Sequence, residues 1–422
     1  MGKPNPQQSN AQKTPASMNV PRKFVPHPFA YHEEVELTIE KLSNQGDGVG
    51  RIDNWVIFVP YTLPGERVKA RVYRNDKNCS MADLVEVLEA SPERVQPQCP
   101  VFGYCGGCQY QHLNYQAQLK WKTEQVADLL RLQAGLQLPV QPAIPSPVTY
   151  GYRSKITPHF HKPKDAKMGN IGFLRAGSRS EVCDIKQCPI AMEPLNDALP
   201  VLRKAAQQAA AQYKRGATLL MRVSEGSVIT NNNAICTEHV GELTFNFLAG
   251  DFFQNNPFIL PAFTGYVAKQ ACASGARYLV DAYCGSGLFA LTLAPHFQKV
   301  LGVEVSETSA DWARANARSN GITHASFLAA SAEAIFEQVD FPAEETAVVI
   351  DPPRKGCDLV FLNQLFAFGP KRVVYVSCNP ATQIRDLAEF DKAGYKVVEV
   401  QPFDLFPQTK HLECVATLEK QA

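Results

Sequence analysis

Tyr278-Leu279-Val280-Asp281-Ala282-Tyr283-Cys284-Gly285-Ser286-Gly287-Leu288-Phe289 runs from an apolar strand through a glycine turn into the start of a helix. Glycines at a strand-to-helix turn let a ligand approach the backbone closely. Glu304 ends the next strand run, Lys299 to Glu304, where a carboxylate can accept hydrogen bonds from a ribose diol. The Gly-x-Gly spacing lacks the third glycine of the dinucleotide fingerprint, so NAD is the weaker candidate. An adenosyl cofactor without a pyrophosphate needs only the shorter turn, which points to S-adenosylmethionine. A purely structural turn would explain the glycines alone. It does not explain Glu304 in register and the acidic Asp351-Pro352-Pro353 turn two strands later.

Around this turn the last third of the chain alternates strand and helix, which predicts a doubly wound parallel α/β sheet of Rossmann type. Its strands are expected over residues 278–281, 299–304, 347–351 and 372–376. Two further runs, 396–400 and 412–417, close it without a helix between them. Upstream, short alternating runs at 35–39, 55–59, 67–72 and 82–87 are punctuated by Gly46, Gly48 and Pro64-Gly65. They predict a small OB-type β-barrel. Lys69, Arg71, Arg74 and Lys77 alternate with apolar residues there, either as a phosphate-facing surface or as a solvated face. Four units are expected: a disordered basic tail (1–30), the barrel (31–92), a mixed central domain (93–250) and the catalytic sheet (251–422).

The chain has 422 residues, 45% hydrophobic and 20% charged, with a net charge of +1. That excludes a globally basic nucleic-acid binder and leaves room only for local basic patches. No apolar run is long enough to span a bilayer, and no secretion signal opens the chain, so a cytoplasmic protein without membrane contact is expected. Twelve cysteines in such a compartment are expected to be reduced thiols.

One thiol stands out. Val373-Val374-Tyr375-Val376-Ser377-Cys378-Asn379-Pro380 puts Cys378 where a strand runs out, the position at which open α/β sheets act on ligands. Downstream, Glu413 in Lys410-His411-Leu412-Glu413 offers a base. A buried core cysteine and a solvated turn carboxylate are the plain alternatives. Amine methyltransferases carry an aromatic residue after Asp-Pro-Pro; here Arg354 stands in its place. Carbon is a different problem, because C5 of uracil is too weak a nucleophile for a methyl donor. A thiolate added at C6 turns C5 into an enolate carbon, and a base must then remove the C5 proton. Cys378 and Glu413 meet those two needs.

Asp351-Pro-Pro-Arg-Lys-Gly356, Val374-Tyr-Val-Ser-Cys-Asn-Pro-Ala-Thr382 and Asp404-Leu-Phe-Pro-Gln-Thr-Lys-His-Leu-Glu413 closely resemble the RNA 5-methyluridine methyltransferase family. The resemblance covers nearly everything from residue 33 onward. It implies Cys378 as the nucleophile, Glu413 as the base, and Gln254, Tyr283, Glu304 and Asp351 as cofactor-site residues. Leu288 departs from members with a polar residue there. The barrel resembles the TRAM domain, an RNA-binding module.

Cys99, Cys105 and Cys108 have the spacing C-x5-C-x2-C. Three close cysteines and one distant one can hold an iron–sulfur cluster, and zinc is the chemical alternative. Cys183 and Cys188 are the candidates for a fourth ligand. Members of the family with a [4Fe-4S] cluster have a similar Lys-Gln-Cys-Pro, which selects Cys188. The expected protein is therefore an S-adenosylmethionine-dependent methyltransferase with a central iron–sulfur-bearing α+β domain, acting as a monomer. Its expected partner is RNA, 23S ribosomal RNA ahead of the transfer RNA T-loop, with Arg153, Lys155, Lys162, Lys164, Lys167, Arg175 and Arg179 along the path. An amine methyltransferase or an inert RNA-binding chain are the competing readings; the first would keep its activity without Cys378, and the second would not bind the cofactor.

Overall fold

The computed structural model describes residues 20–330 and 335–421; the tail expected over 1–30 lies outside them up to residue 19. No helix among the described residues is long and apolar enough to cross a membrane.

The first unit is a closed barrel of β1 (Glu34–Leu42), β2 (Gly48–Ile52), β3 (Trp55–Val59), β4 (Arg67–Asn75) and β5 (Cys79–Glu89), in the order β1-β2-β3-β5-β4. Inward residues such as Leu37, Ile39, Ile57, Val68 and Ala70 alternate with exposed ones, the period of a strand with one wet face. Its charges are largely matched across that face. Arg71 pairs with Glu34 at 2.7 Å, Arg74 with Asp76 at 2.9 Å, and Arg67 with Glu36 and Glu89. These arginines are solvent-exposed and each has a carboxylate partner.

After the cysteine loop comes α1 (Tyr115–Leu129), capped by Asn114, whose side chain accepts from the Ala117 N–H at 2.9 Å. The central region carries β6 (Lys155–Ile156), β7 (His159–Phe160), β8 (Gly172–Leu174), β9 (Val182–Asp184) and α2 (Glu193–Gln208). It continues through β10 (Ala217–Thr218), β11 (Met221–Ser224), β12 (Ser227–Ile229), β13 (Ile235–Val240) and β14 (Leu243–Leu248). These form small sheets, β10-β7-β8-β9 and β12-β11-β6, and the hairpin β13-β14.

The catalytic unit has α3 (Leu260–Cys272), β15 (Tyr278–Ala282), α4 (Leu288–Leu293), β16 (Lys299–Glu304), α5 (Glu307–Ser319), β17 (Ala325–Ala329) and β18 (Thr346–Ile350). It ends with α6 (Leu359–Phe368), β19 (Arg372–Ser377), α7 (Pro380–Lys392), β20 (Tyr395–Phe403) and β21 (Glu413–Lys420). The seven strands run β17-β16-β15-β18-β19-β21-β20; all run parallel except β21, which is antiparallel to both its neighbours, β19 and β20. Alternate residues enter opposite cores. Leu279, Ala347, Val349 and Val374 face α3, α4 and α5, while Val280, Val348, Ile350 and Val373 face α6 and α7. That alternation is the doubly wound architecture expected from the sequence.

One strand of the barrel was not expected: β2 begins at Gly48, which the sequence offers as a turn residue. Strand β17 escaped detection because Ala-Ser-Phe-Leu-Ala offers a short, small-residue pattern at a sheet edge. Helix α1, counted with the central domain, contributes Val126 to the α6–α7 core, and Val140 and Ile144 form parallel bridges to Val400 and Phe403. Residues 115–146 thus pack on the catalytic sheet.

Candidate active site

The turn after β15 is built by backbone conformations that few residues adopt. Gly285 and Gly287 have φ of 54° and 93°, and Tyr283 has φ of 66°. Asp281 is fully buried behind the turn, and its carboxyl accepts from the Ala290 N–H at 2.7 Å, fastening the turn to α4. Glu304, at the end of β16, accepts from the Gly285 N–H at 3.0 Å and the Ser306 N–H at 2.9 Å. A cavity of about 700 Å³ opens above these strand ends, where doubly wound sheets take ligands. Gln254, Tyr283, Glu304 and Asp351 all line it, together with Cys378 and Glu413. Backbone amides, acceptors at two strand ends and apolar walls from Phe252, Leu288 and Phe289 suit an adenosyl group bearing a ribose diol. The donor set fits S-adenosylmethionine.

Cys378 and Glu413 are brought together by strand register. Ser377 of β19 pairs with Cys414 of β21, so one step further puts Cys378 opposite Glu413. Both line the cofactor cavity and a neighbouring one of about 380 Å³. Burial, and then the Glu413 and Asp351 carboxylates, push the Cys378 thiol up to about 12; Arg354 acts in the opposite direction. Burial and the Asp351 charge hold the Glu413 carboxyl well above its ordinary range, again opposed by Arg354. Asp351 is itself pushed up to about 7 by burial. Burial thus disfavours the ionised form of both groups, and Arg354 favours it.

In the sequence, Lys410 and His411 offer themselves either to lower the thiolate's energy or to hold phosphate. Burial, and the charges of Arg354 and Lys410, lower His411 to about 4, so its ring is neutral near pH 7. Lys410 donates to Gln45 of the barrel. The cation facing the reacting pair is Arg354, noted in the sequence only as an absent aromatic.

Phe252 was also missed. It is 75% exposed and lines both cavities, whereas Phe253 is 4% exposed and stacks on Phe247 at 4.4 Å. Nothing in Phe252-Phe253-Gln254 distinguishes the wet ring from the dry one.

Cys99, Cys105, Cys108 and Cys188 line the smaller cavity together, while Cys183 is buried on β9 outside it. Burial pushes Cys108 up to about 12 and Cys188 to about 11, and neighbouring thiols of the set add to both. Among the described residues, no group of three His, Cys, Asp or Glu could hold a metal ion. Of the basic residues expected along an RNA path, Arg153 lines this cavity, whereas Arg175 pairs with Glu181 at 2.7 Å.

Residues 203–421 match the profile of the family described as tRNA (Uracil-5-)-methyltransferase, and residues 32–85 match the TRAM domain. The chain is 44% identical over 419 residues to a tRNA (uracil(54)-C(5))-methyltransferase of Schizosaccharomyces pombe, covering 93% of this chain and 79% of that one. It is 32% identical to an uncharacterized RNA methyltransferase of Halalkalibacterium halodurans, covering 93% and 98%. Its fold is similar to that of the Pyrococcus abyssi tRNA (uracil-54, C5)-methyltransferase in complex with S-adenosyl-L-homocysteine. That likeness has a TM-score of 0.70 at 24% identity and covers 91% of this chain and all of the other. By sequence and by the strand-end geometry above, the chain belongs to the tRNA (uracil-5-)-methyltransferase family and is an S-adenosylmethionine-dependent RNA uracil-C5-methyltransferase.

Proposed function

We propose that Cys378 adds to C6 of a uracil turned out of its RNA stack, and that Glu413 removes the C5 proton once C5 carries the methyl group. The observation that carries this reading is that Cys378 and Glu413, each one step past the Ser377–Cys414 pair, line both cavities together. Arg354 favours both anions; the Cys378 proton passes to solvent before the thiolate adds to C6, and an ionised Glu413 is left to take the C5 proton. When bound, S-adenosylmethionine supplies the methyl group. Gln254, Tyr283, Glu304 and Asp351 hold it in this reading, and Arg354 steadies the enolate oxygen. The exposed ring of Phe252 offers a stacking face for the extruded base.

For the substrate we infer a T-loop uridine of transfer RNA. Relatives at 44% and 34% identity, from two yeasts, are named for uracil 54 of transfer RNA. They shift the balance away from 23S ribosomal RNA, which the sequence had put first. Ribosomal RNA stays as the second reading because of the TRAM barrel and the cysteine loop.

The four cysteines are proposed as ligands of a [4Fe-4S] cluster. A single ion needs sulfurs converging at about 2.3 Å, whereas a four-iron cube keeps its ligands farther apart around a shared volume. Four thiols around one cavity suit the second arrangement. When bound, the cluster would tie the 99–108 loop to the segment bearing Cys188. Protein purified without oxygen should contain about four irons per chain, lost in Cys108→Ala.

The deciding experiment offers the enzyme 5-fluorouridine-substituted transfer RNA or 23S ribosomal RNA. Fluorine at C5 cannot leave as a proton, so the adduct persists. Trapping through Cys378 with transfer RNA is expected. Trapping with ribosomal RNA alone would reverse the substrate reading, and trapping with neither would remove Cys378 as nucleophile.

A further inference from the structure

The loop that delivers Glu413 is held from outside its own sheet. Lys122 of α1 and Asp404 are both fully buried, with Nζ 2.6 Å from Oδ1. The same ammonium donates to the His411 carbonyl at 2.9 Å and to the Phe406 carbonyl at 3.3 Å. Its three donors thus reach the entry, the middle and the exit of one loop, ending two residues before Glu413. The Tyr110 ring lies 5.8 Å from the ammonium.

Other groups complete the hold. Gln408 sits at φ 70° and exchanges two 3.0 Å hydrogen bonds with Gln118, one turn earlier on α1. Its carbonyl accepts from the Gln109 and Tyr110 N–H groups at 3.1 and 2.9 Å. The Tyr152 hydroxyl donates to the Pro407 carbonyl at 3.0 Å, and Asn256 donates to the Leu405 carbonyl at 2.9 Å.

A buried ion pair is a poor device for stability, since apolar residues of similar volume often do as well; what it supplies is a fixed arrangement. We propose that Lys122 is a positioning residue for the methylation reaction, holding the Asp404–Leu412 loop so that Glu413 stays opposite Cys378. Lys122 lines neither cavity, so it acts through the loop and not on substrate. The proposal rests on the reading of Glu413 as base. Its effect falls on the last step. There the Glu413 carboxylate takes the C5 proton, the C–H electrons form the C5–C6 double bond, and the C6–S bond breaks with its electron pair returning to sulfur.

The test compares Glu413→Gln, Lys122→Met and the double variant Lys122→Met/Asp404→Leu. The double variant removes both buried charges, so it remains informative if Lys122→Met alone does not fold. For the double variant, turnover should fall by roughly tenfold to a hundredfold with little change in KM for RNA. Methyl-labelled covalent adduct should accumulate on ordinary uridine RNA, as in Glu413→Gln, while adduct formation with 5-fluorouridine RNA keeps its wild-type rate. Normal turnover in the double variant beside a crippled Glu413→Gln would overturn the positioning role alone. So would a parallel loss of 5-fluorouridine trapping, which marks general damage to the site. Wild-type turnover in Glu413→Gln would remove the base assignment and the positioning role with it.

Discussion

The cofactor side and the base side of this active site are assembled in different ways. On the cofactor side, Tyr283, Glu304 and Asp351 each follow or end a parallel strand, β15, β16 and β18. Parallel neighbours in one sheet present their carboxyl ends along one edge, so those residues converge with no help from elsewhere. On the base side, Glu413 begins an antiparallel strand inserted between β19 and β20, at the end of a loop fixed by α1, the cysteine loop and Tyr152. Apart from Gln254, which precedes α3, the first side depends on its own strands, and the second on contacts about 250 to 300 residues away in sequence. Substitutions on the cofactor side should therefore have local consequences. The base side should also be open to damage from a distance.

The largest effect should come at the junction of the two. Cys378→Ala should lower turnover by roughly four orders of magnitude or more and abolish the covalent RNA adduct. Cofactor affinity, measured by calorimetry, should stay as it was. Adduct formation surviving in this variant would dissolve the comparison altogether. Glu413→Gln should cost about a hundredfold to ten-thousandfold in turnover and leave methylated RNA attached to the protein, visible on a denaturing gel. Glu304→Gln probes the other side. It should weaken cofactor binding by about tenfold to a hundredfold, the range for loss of a charged hydrogen bond, without trapping any adduct.

The smallest effect concerns protons. In the proposed mechanism Glu413 and Cys378 each ionise, and burial raises both. Single-turnover rates should therefore climb as pH rises through neutrality, by up to about tenfold per unit. Removing the Arg354 charge in Arg354→Gln should move that rise to higher pH, because Arg354 favours both anions. A flat profile would mean that neither group is held in its neutral form before substrate binds.

Much of the cofactor side could be read in the sequence because its signals are local. A strand, two glycines and a carboxylate at the end of the next strand lie within 27 residues, Tyr278 to Glu304. Cys378 was legible for the same reason, as a thiol at the end of an apolar strand. Four of the five barrel strands showed themselves by alternation, and the cysteine loop by spacing. What escaped depends on exposure or on long-range pairing. Phe252 and Phe253 are the same residue type side by side and differ only in what covers them. Lys122 is one charge among several on α1, and only packing makes it a buried donor with three acceptors. Arg354 was visible, but its part as the cation facing the reacting pair needed the third dimension.

By itself, then, the sequence determined which chemical groups are present and the local turns that present them, because hydrophobic period, glycine conformation and motif spacing act over a few residues. It also determined the architecture, since alternating apolar runs admit little besides a doubly wound sheet behind a small barrel. Only the tertiary structure decided that β21 enters the sheet antiparallel beside β19, setting Glu413 against Cys378. Only it decided that Lys122 is buried against the loop that joins β20 to β21. The reason is physical. Register between distant strands, and the desolvation of a charge, are properties of what lies across a contact, and a residue's neighbours in the chain do not specify them.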